Sequence, residues 1–231
     1  MKNKFVFACL NFIMVLILVL FIFLVNLQYI AFNPDFYRSE FIKYDVQATT
    51  GMDINELMKV TDKIQGYLSN KDSNLQINIK AHGENSDFFN SRELYHMADV
   101  KLLFIKGFLL KNILGFTFIV LFLFIWLFYK KTLNNMFNTI YKGMIWFFLI
   151  SGILAILIFL NFDDLFIKFH ELFFNNDLWQ LDVNKDKLIQ MLPGGFFQDA
   201  TLFTIRNSLI TMLIITGVSY FLKGYITKKP L

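Results

Sequence analysis

Four long apolar runs constrain this chain more than any other feature. Residues 5–25, FVFACLNFIMVLILVLFIFLV, carry no charged side chain. About 20 apolar residues let a helix cross a hydrocarbon core roughly 30 Å thick. Comparable runs occupy 107–129, 144–162 and 202–222, interrupted by charge only at Lys111 and Arg206. The expectation is an all-α membrane protein: a four-transmembrane-helix bundle, a mainly helical outer subdomain and amphipathic helices lying on the outer surface. The boundaries that follow are 5–27, 107–129, 144–162 and 202–222 for the spans, with outer segments 28–106 and 163–201, a loop 130–143 and a tail 223–231. The first run reads as an uncleaved anchor. It is too long for the apolar region of a usual signal peptide, and the bulky NLQYIAF follows where small residues would mark a cleavage site.

Charge gives the orientation. Lys2 and Lys4 precede the first run, Lys130, Lys131 and Lys142 lie between the second and third, and Lys223, Lys228 and Lys229 follow the fourth. Lysines near span ends mark the cytoplasmic side, so both termini and the 130–143 loop are expected there. All 18 acidic residues fall in the other two segments. The protein is therefore expected in the plasma membrane as a multi-pass protein with its site outside the cytoplasm. The net charge of +4 then reflects anchoring at the cytoplasmic face and no nucleic-acid surface. The single cysteine, Cys9, lies within the first run, which removes internal disulfides and cysteine-based zinc sites from consideration.

In the first outer segment, Asp53 with Glu56 three residues on has the form of a helix start. Ile54, Leu57, Met58, Ile64 and Leu68 make one apolar stripe behind it. NLQINIK alternates like a short strand, enough for a hairpin edge. The second outer segment is too apolar for a solvated loop. Its Trp179 and its Phe pairs, Phe196–Phe197 among them, suit the headgroup zone. It reads as one or two surface helices broken at Pro193-Gly194-Gly195.

Chemistry concentrates in SRELYHMADVK, 91–101. On a helix Arg92, His96 and Asp99 share a face, with Glu93 one turn before His96. His170 lies about as far past the third span as His96 lies before the second, so the two imidazoles are expected at one depth on one side. Either this is an oriented acid–base pair or a charged helix start with an interfacial histidine. His82 reads as a solvated loop residue. Arg206 either snorkels or anchors a phosphate, a carboxylate or Asp199. Glu93, His96 and His170 together form a weak metal set.

Two stretches bring in a resemblance. E-x-x-H-M-x-D-V at 93–100 and F-H-x-x-F-F-x-x-D-x-W at 169–179, the latter continued by D-x-L-I-x-x-L-P-x-x-F-F-x-D to Asp199, resemble the lipoprotein intramolecular transacylases of low-GC Gram-positive bacteria. The Asn, Lys, Ile and Phe bias fits an AT-rich genome. The resemblance implies an acyltransferase whose substrate is a lipoprotein with a diacylglyceryl-cysteine and a free α-amine. The sn-2 acyl chain moves to that amine and leaves the N-acyl lyso form. It implies catalytic His96 and His170, with Glu93, Asp99, Asp177, Trp179 and Asp199 around them. Arg92, or backbone N–H groups near Pro193-Gly194-Gly195, is expected at the oxyanion, and Trp179, Phe196, Phe197 and Arg206 at the substrate. Ester-to-amide transfer needs no ATP, acyl carrier, cofactor or metal; membrane lipid and the lipoprotein are the expected partners, and the chain is expected to act as a monomer. Two other readings stand beside it: a metal-dependent membrane hydrolase or protease using Glu93, His96 and His170, and a non-enzymatic surface sensor or assembly protein.

Overall fold

A computed structural model describes residues 2–128 and 133–228, with side chains from 6 to 128 and from 133 to 225. Lys130, Lys131 and Lys229, three of the lysines behind the expected orientation, lie outside the described residues. In chain order the elements are α1 (Lys2–Ala31), α2 (Pro34–Lys43), α3 (Val46–Thr50), α4 (Ile54–Leu68), β1 (Asn78–Ala81), β2 (Glu84–Asp87), α5 (Ser91–Phe128), α6 (Leu133–Leu160), α7 (Phe162–Phe173), α8 (Lys187–Met191) and α9 (Gly194–Lys228). Helices α1, α5, α6 and α9 are long and apolar enough to cross a membrane. Two compact units divide the chain.

The first unit comprises residues 1–27, 109–157 and 203–231. Its core is Met14, Val15, Leu18, Val19 and Ile22 of α1, Ile125 of α5, Met136, Ile140 and Met144 of α6, and Met212 of α9. Four methionines fill gaps that branched side chains would leave. Gly143 has a packing reason: a Cβ there would stand 2.6 Å from Val15 Cγ1, and small residues let helices approach closely in lipid. Outward-facing Trp146, Ile153 and Phe221 are more than 60% exposed, as expected of a lipid-facing surface.

The second unit comprises residues 28–108 and 158–202. Asn33 caps α2 by accepting from the Asp35 N–H at 3.0 Å, with Pro34 in the first turn. Asp53 caps α4, accepting from the Asn55 and Glu56 N–H groups at 2.8 and 3.0 Å. The α4 stripe buries Leu57, Val60, Thr61, Ile64 and Leu68, while Ile54 and Met58 are only partly covered. At the end of α1 the Ala31 carbonyl accepts from Tyr37 Oη and Gln65 Nε2, tying α2 and α4 to it. Phe41, Leu57, Val60 and Phe88 are at most 1% exposed, and each contributes about 1.5–3 kcal/mol by burial.

Several expectations need correction. The strand sits later than its alternation suggests: β1 and β2 pair antiparallel with Asn78 opposite Asp87, so Leu75 and Ile77 precede it. Most of the segment read as a loop at 130–143 is helix, since α6 begins at Leu133. The Pro193-Gly194-Gly195 break does not separate two surface helices. It ends α8, and both glycines lie in the first turn of α9, which runs without interruption to Lys228. A Pro tolerates the entry to a helix, where no intrahelical N–H bond is lost. Gly195 makes room there for the Tyr44 ring, whose atoms a Cβ would meet at 2.5 Å.

Candidate active site

Helix α5 carries His96. At 38 residues and 1.5 Å per residue it is roughly 57 Å long, about twice the hydrocarbon thickness. Its charged first four turns therefore stand outside the span, and residues 107–128 suffice to cross. Its start is a reciprocal cap: Asn90 Oδ1 accepts from the Glu93 N–H at 3.0 Å, and Glu93 Oε2 accepts from the Asn90 N–H at 2.7 Å.

Helix α7 carries His170 on the face it shares with Phe166 and Phe173. The His170 and His96 ring centroids are 6.2 Å apart, and both side chains are buried, at 8% and 7% exposure. His170 Nδ1 lies 2.7 Å from the Phe166 carbonyl oxygen. A carbonyl only accepts, so Nδ1 carries the hydrogen and Nε2 the lone pair. Trp179 stacks on this ring at 4.8 Å and 27°, and Phe166 lies 4.3 Å away. Phe174, the residue after α7, touches both histidines, at 5.4 Å from His96 and 5.6 Å from His170.

Electrostatics follow from this burial. Burial first, and the neighbouring His170 second, push His96 down to about 4, against a weaker opposing pull from Asp99. Burial also lowers His170, opposed by its bond to the Phe166 carbonyl. Both rings are neutral at pH 7 and able to accept a proton. His96 Nδ1 is buried without a hydrogen-bond partner among the described residues, a condition that costs about 1–3 kcal/mol.

The other expected residues divide. Glu93 does not orient His96: its Oε1 accepts from the Leu188 N–H at 2.7 Å, so both oxygens are committed to backbone. Burial raises its pKa against those two bonds. Arg92 is exposed and donates to the Asp177 carbonyl, away from an oxyanion role. The exposed Asp177 thus contributes its main chain. Asp99 accepts from Asn176 Nδ2 at 2.9 Å and acts on His96 only through its charge. Phe197 lies 5.3 Å from Phe166 and so extends the aromatic wall around His170. Phe196 instead packs in the subdomain core against Phe36 and Tyr37. Asp199 is not joined to Arg206: it accepts from Lys43 and, at 2.6 Å, from Tyr44 Oη. Arg206 is exposed, bonds Asn207 Oδ1 and lies over Phe203. His82 has φ +52° and is exposed, and its N–H bonds the Gly51 carbonyl.

Phe166 and Asn176 lie outside the sequence reading, and Phe174 enters it only as one residue of the 169–179 motif. Phe166 had a legible signal, standing four residues before His170 on a helix. Asn90, three before Glu93, was a readable cap. Glu40, Lys43 and Tyr44 around Asp199 carried none. Among the described residues no three His, Cys, Asp or Glu side chains form a metal-binding group, and with Glu93 spent on two N–H groups the expected set of Glu93, His96 and His170 is not assembled.

Known proteins agree with this architecture. Among curated proteins none matches the chain. The in meso structure of the membrane integral lipoprotein intramolecular transacylase Lit from Bacillus cereus is 23% identical and covers 98% of both chains at a TM-score of 0.75. Structures of the same protein with one histidine replaced, by Arg or by Ala, are 21% and 20% identical, with TM-scores of 0.72 and 0.74. They cover 99% of this chain, and 95% and 96% of theirs. The profile of the Lit family, lipoprotein intramolecular transacylase, matches residues 12–197. That stretch contains both buried histidines and the elements that hold them, and the chain belongs to the lipoprotein intramolecular transacylase family.

Proposed function

We propose that the protein moves the sn-2 acyl chain of a diacylglyceryl-cysteine lipoprotein onto its own α-amine by histidine acid–base catalysis. One observation carries the chemical part: two buried, neutral imidazoles face each other across 6.2 Å, one of them with its tautomer fixed. In the reaction the amine nitrogen bonds to the ester carbonyl carbon while an imidazole takes an N–H proton. The tetrahedral intermediate collapses, the bond to the glyceryl oxygen breaks, and that oxygen receives the proton. Ester becomes amide and one glyceryl hydroxyl is freed, so atoms balance without a co-reactant. The proton is held only in passing: burial keeps both imidazoles below the ordinary histidine value, so each gives it up readily to the leaving oxygen. Donor and acceptor share one molecule, so much of the catalysis is folding the substrate into a reactive pose.

His170 Nε2 is the acceptor its environment prepares, and His96 is placed to return or share the proton. Trp179 and Phe197 form an apolar wall for the acyl chain. His96→Ala should remain folded in the membrane and lose about 10²–10⁴-fold in conversion. His96→Gln, polar but unable to cycle a proton, should fail as well. Mass spectra of N-terminal lipopeptides read the result: an amide-linked acyl chain with one ester for the wild type, two esters and a free amine for the variants. Activity should survive EDTA. Full conversion by His96→Ala, or zinc rescue of a chelated enzyme, would overturn the mechanism.

A further inference from the structure

In the proposed transfer His170 Nε2 takes the amine proton, so the ring is an imidazolium while the intermediate lasts. A carboxylate on the far ring nitrogen commonly steadies such a cation. His170 has none: its Nδ1 meets the Phe166 carbonyl, and no carboxyl bonds it among the described residues. The charged and titratable groups on the surrounding elements are otherwise placed. His96 faces it from α5, whereas Arg92 and Asp99 bond the segment after α7. Asp199 of α9 accepts from Lys43 and Tyr44. Asp163, Asp164, Lys168 and Glu171 of α7, and Asp177 beyond it, are exposed. What does lie on the ring is the indole of Trp179, stacked at 4.8 Å and 27°.

We infer that Trp179 is a positioning residue for the reaction, acting through His170: its π-face steadies the imidazolium where a carboxylate would otherwise stand. The inference rests on the transacylase reading and deepens it. A cation within about 6 Å of a ring centroid is attracted to the negative face of the ring, and Trp attracts it most strongly. The attraction grows as water is excluded, and His170 is 8% exposed. It favours the charged ring over the neutral one, and so offsets part of what burial costs the cation. An interaction made only with the charged intermediate speeds the transfer without tightening substrate binding.

The chain around Trp179 is held in a way that keeps the stack. Asn176 Nδ2 donates to Asp99 Oδ2 at 2.9 Å, and Asn176 Oδ1 accepts from the Leu178 N–H at 3.0 Å. Arg92 donates to the Asp177 carbonyl, and the Leu181 N–H to the Trp179 carbonyl. Residues 176–181 thus form a strap tied to α5 about one turn before and one turn after His96. The indole rests on His170 before any substrate arrives. A stack uses one face of a ring, so this role is compatible with a place in the acyl wall.

Fluorination of the indole tests this. Mono- and trifluorinated tryptophan are placed at position 179 alone in the purified full-length enzyme, leaving Trp126 and Trp146 unaltered. Fluorine withdraws electron density from the ring face at nearly constant shape. With a diacylglyceryl-cysteine peptide as substrate, the single-turnover rate should fall stepwise, by about two- to thirtyfold in total, while KM stays unchanged. The His170 titration midpoint, read by nitrogen NMR of the imidazole, should move to lower pH in the same steps, because the weakened face holds the charged ring less well. A packing role would move neither quantity. An unchanged rate and midpoint across the series, or a series that changes KM alone, would overturn the Trp179 assignment and leave the indole as wall. No conversion by the wild type would overturn the transacylase reading, and the assignment with it.

Discussion

His96 and His170 show how one side chain acquires two different settings. His170 spends Nδ1 on a carbonyl one turn back and offers Nε2; His96 keeps Nδ1 buried and unpaired. A third buried titratable group, Glu40, behaves in the opposite sense. Burial first, and a hydrogen bond to Asp199 second, raise Glu40 to about 7. Asp199 resists its own burial through Lys43, Tyr44 and Glu40 and is held below its ordinary value. Two carboxyls that share a site hold one proton between them. Because the folded pKa of Glu40 exceeds the unfolded one, its contribution to stability is fully present below about 4.3 and is lost as pH rises through about 7. Glu40→Gln keeps the neutral, hydrogen-bonding form at every pH. Its melting temperature should gain on the wild type between pH 5 and pH 8, and parallel pH curves would refute the shared proton. For His96 the sign is reversed: its depressed pKa makes the fold lose stability as pH falls from about 6.5 towards 4.

Among the elements, α5 and α8 are joined through Glu93, whose two oxygens serve a cap and a neighbouring backbone at once. Asn90 reinforces the junction by donating to Asp186 Oδ1 at 2.7 Å. Glu93→Gln leaves one oxygen for two N–H donors and turns an NH2 towards the other. The cost should be about 1–3 kcal/mol, read as a lower melting temperature in detergent with proteolysis appearing between α7 and α8. A melting temperature equal to the wild type would contradict the tie. Much of this region is legible in the sequence: the Asp53 cap follows from local capping chemistry, the α4 stripe and the helical SRELYHMADVK from periodicity, and the closeness of the two histidines from their equal distances to the span ends. The role of Glu93 is hidden in the sequence because its Leu188 partner lies 95 residues away, and no spacing rule reaches that far. The Glu40 cluster escaped for the same reason, since Asp199 meets Lys43 across 156 residues. Phe174 is a fixed position of the 169–179 motif, and only tertiary packing brings it against both histidines.

For the molecule as a whole, the proposed chemistry depends on which side of the membrane the histidines face. The lysines that flank the spans argue for cytoplasmic termini and an outer position for residues 28–106 and 163–201, because lysines near span ends are retained on the cytoplasmic side. The proposed reaction needs that orientation, since its substrate is expected on the outer side. Residues 133–143 remain informative although helical, since a helix can extend beyond the hydrocarbon as α5 does. In a Cys9→Ala background, Ser73→Cys in the exposed turn after α4 should react with an impermeant thiol reagent in intact cells. Asn135→Cys, exposed in the first turn of α6, should react only after permeabilisation. Both substitutions replace exposed polar side chains, for which stability changes stay within about 0.5 kcal/mol, so labelling reports access and not unfolding. The reverse pattern would put both imidazoles in the cytoplasm, out of reach of the lipoprotein, and the acid–base assignment of His96 and His170 would fall with it.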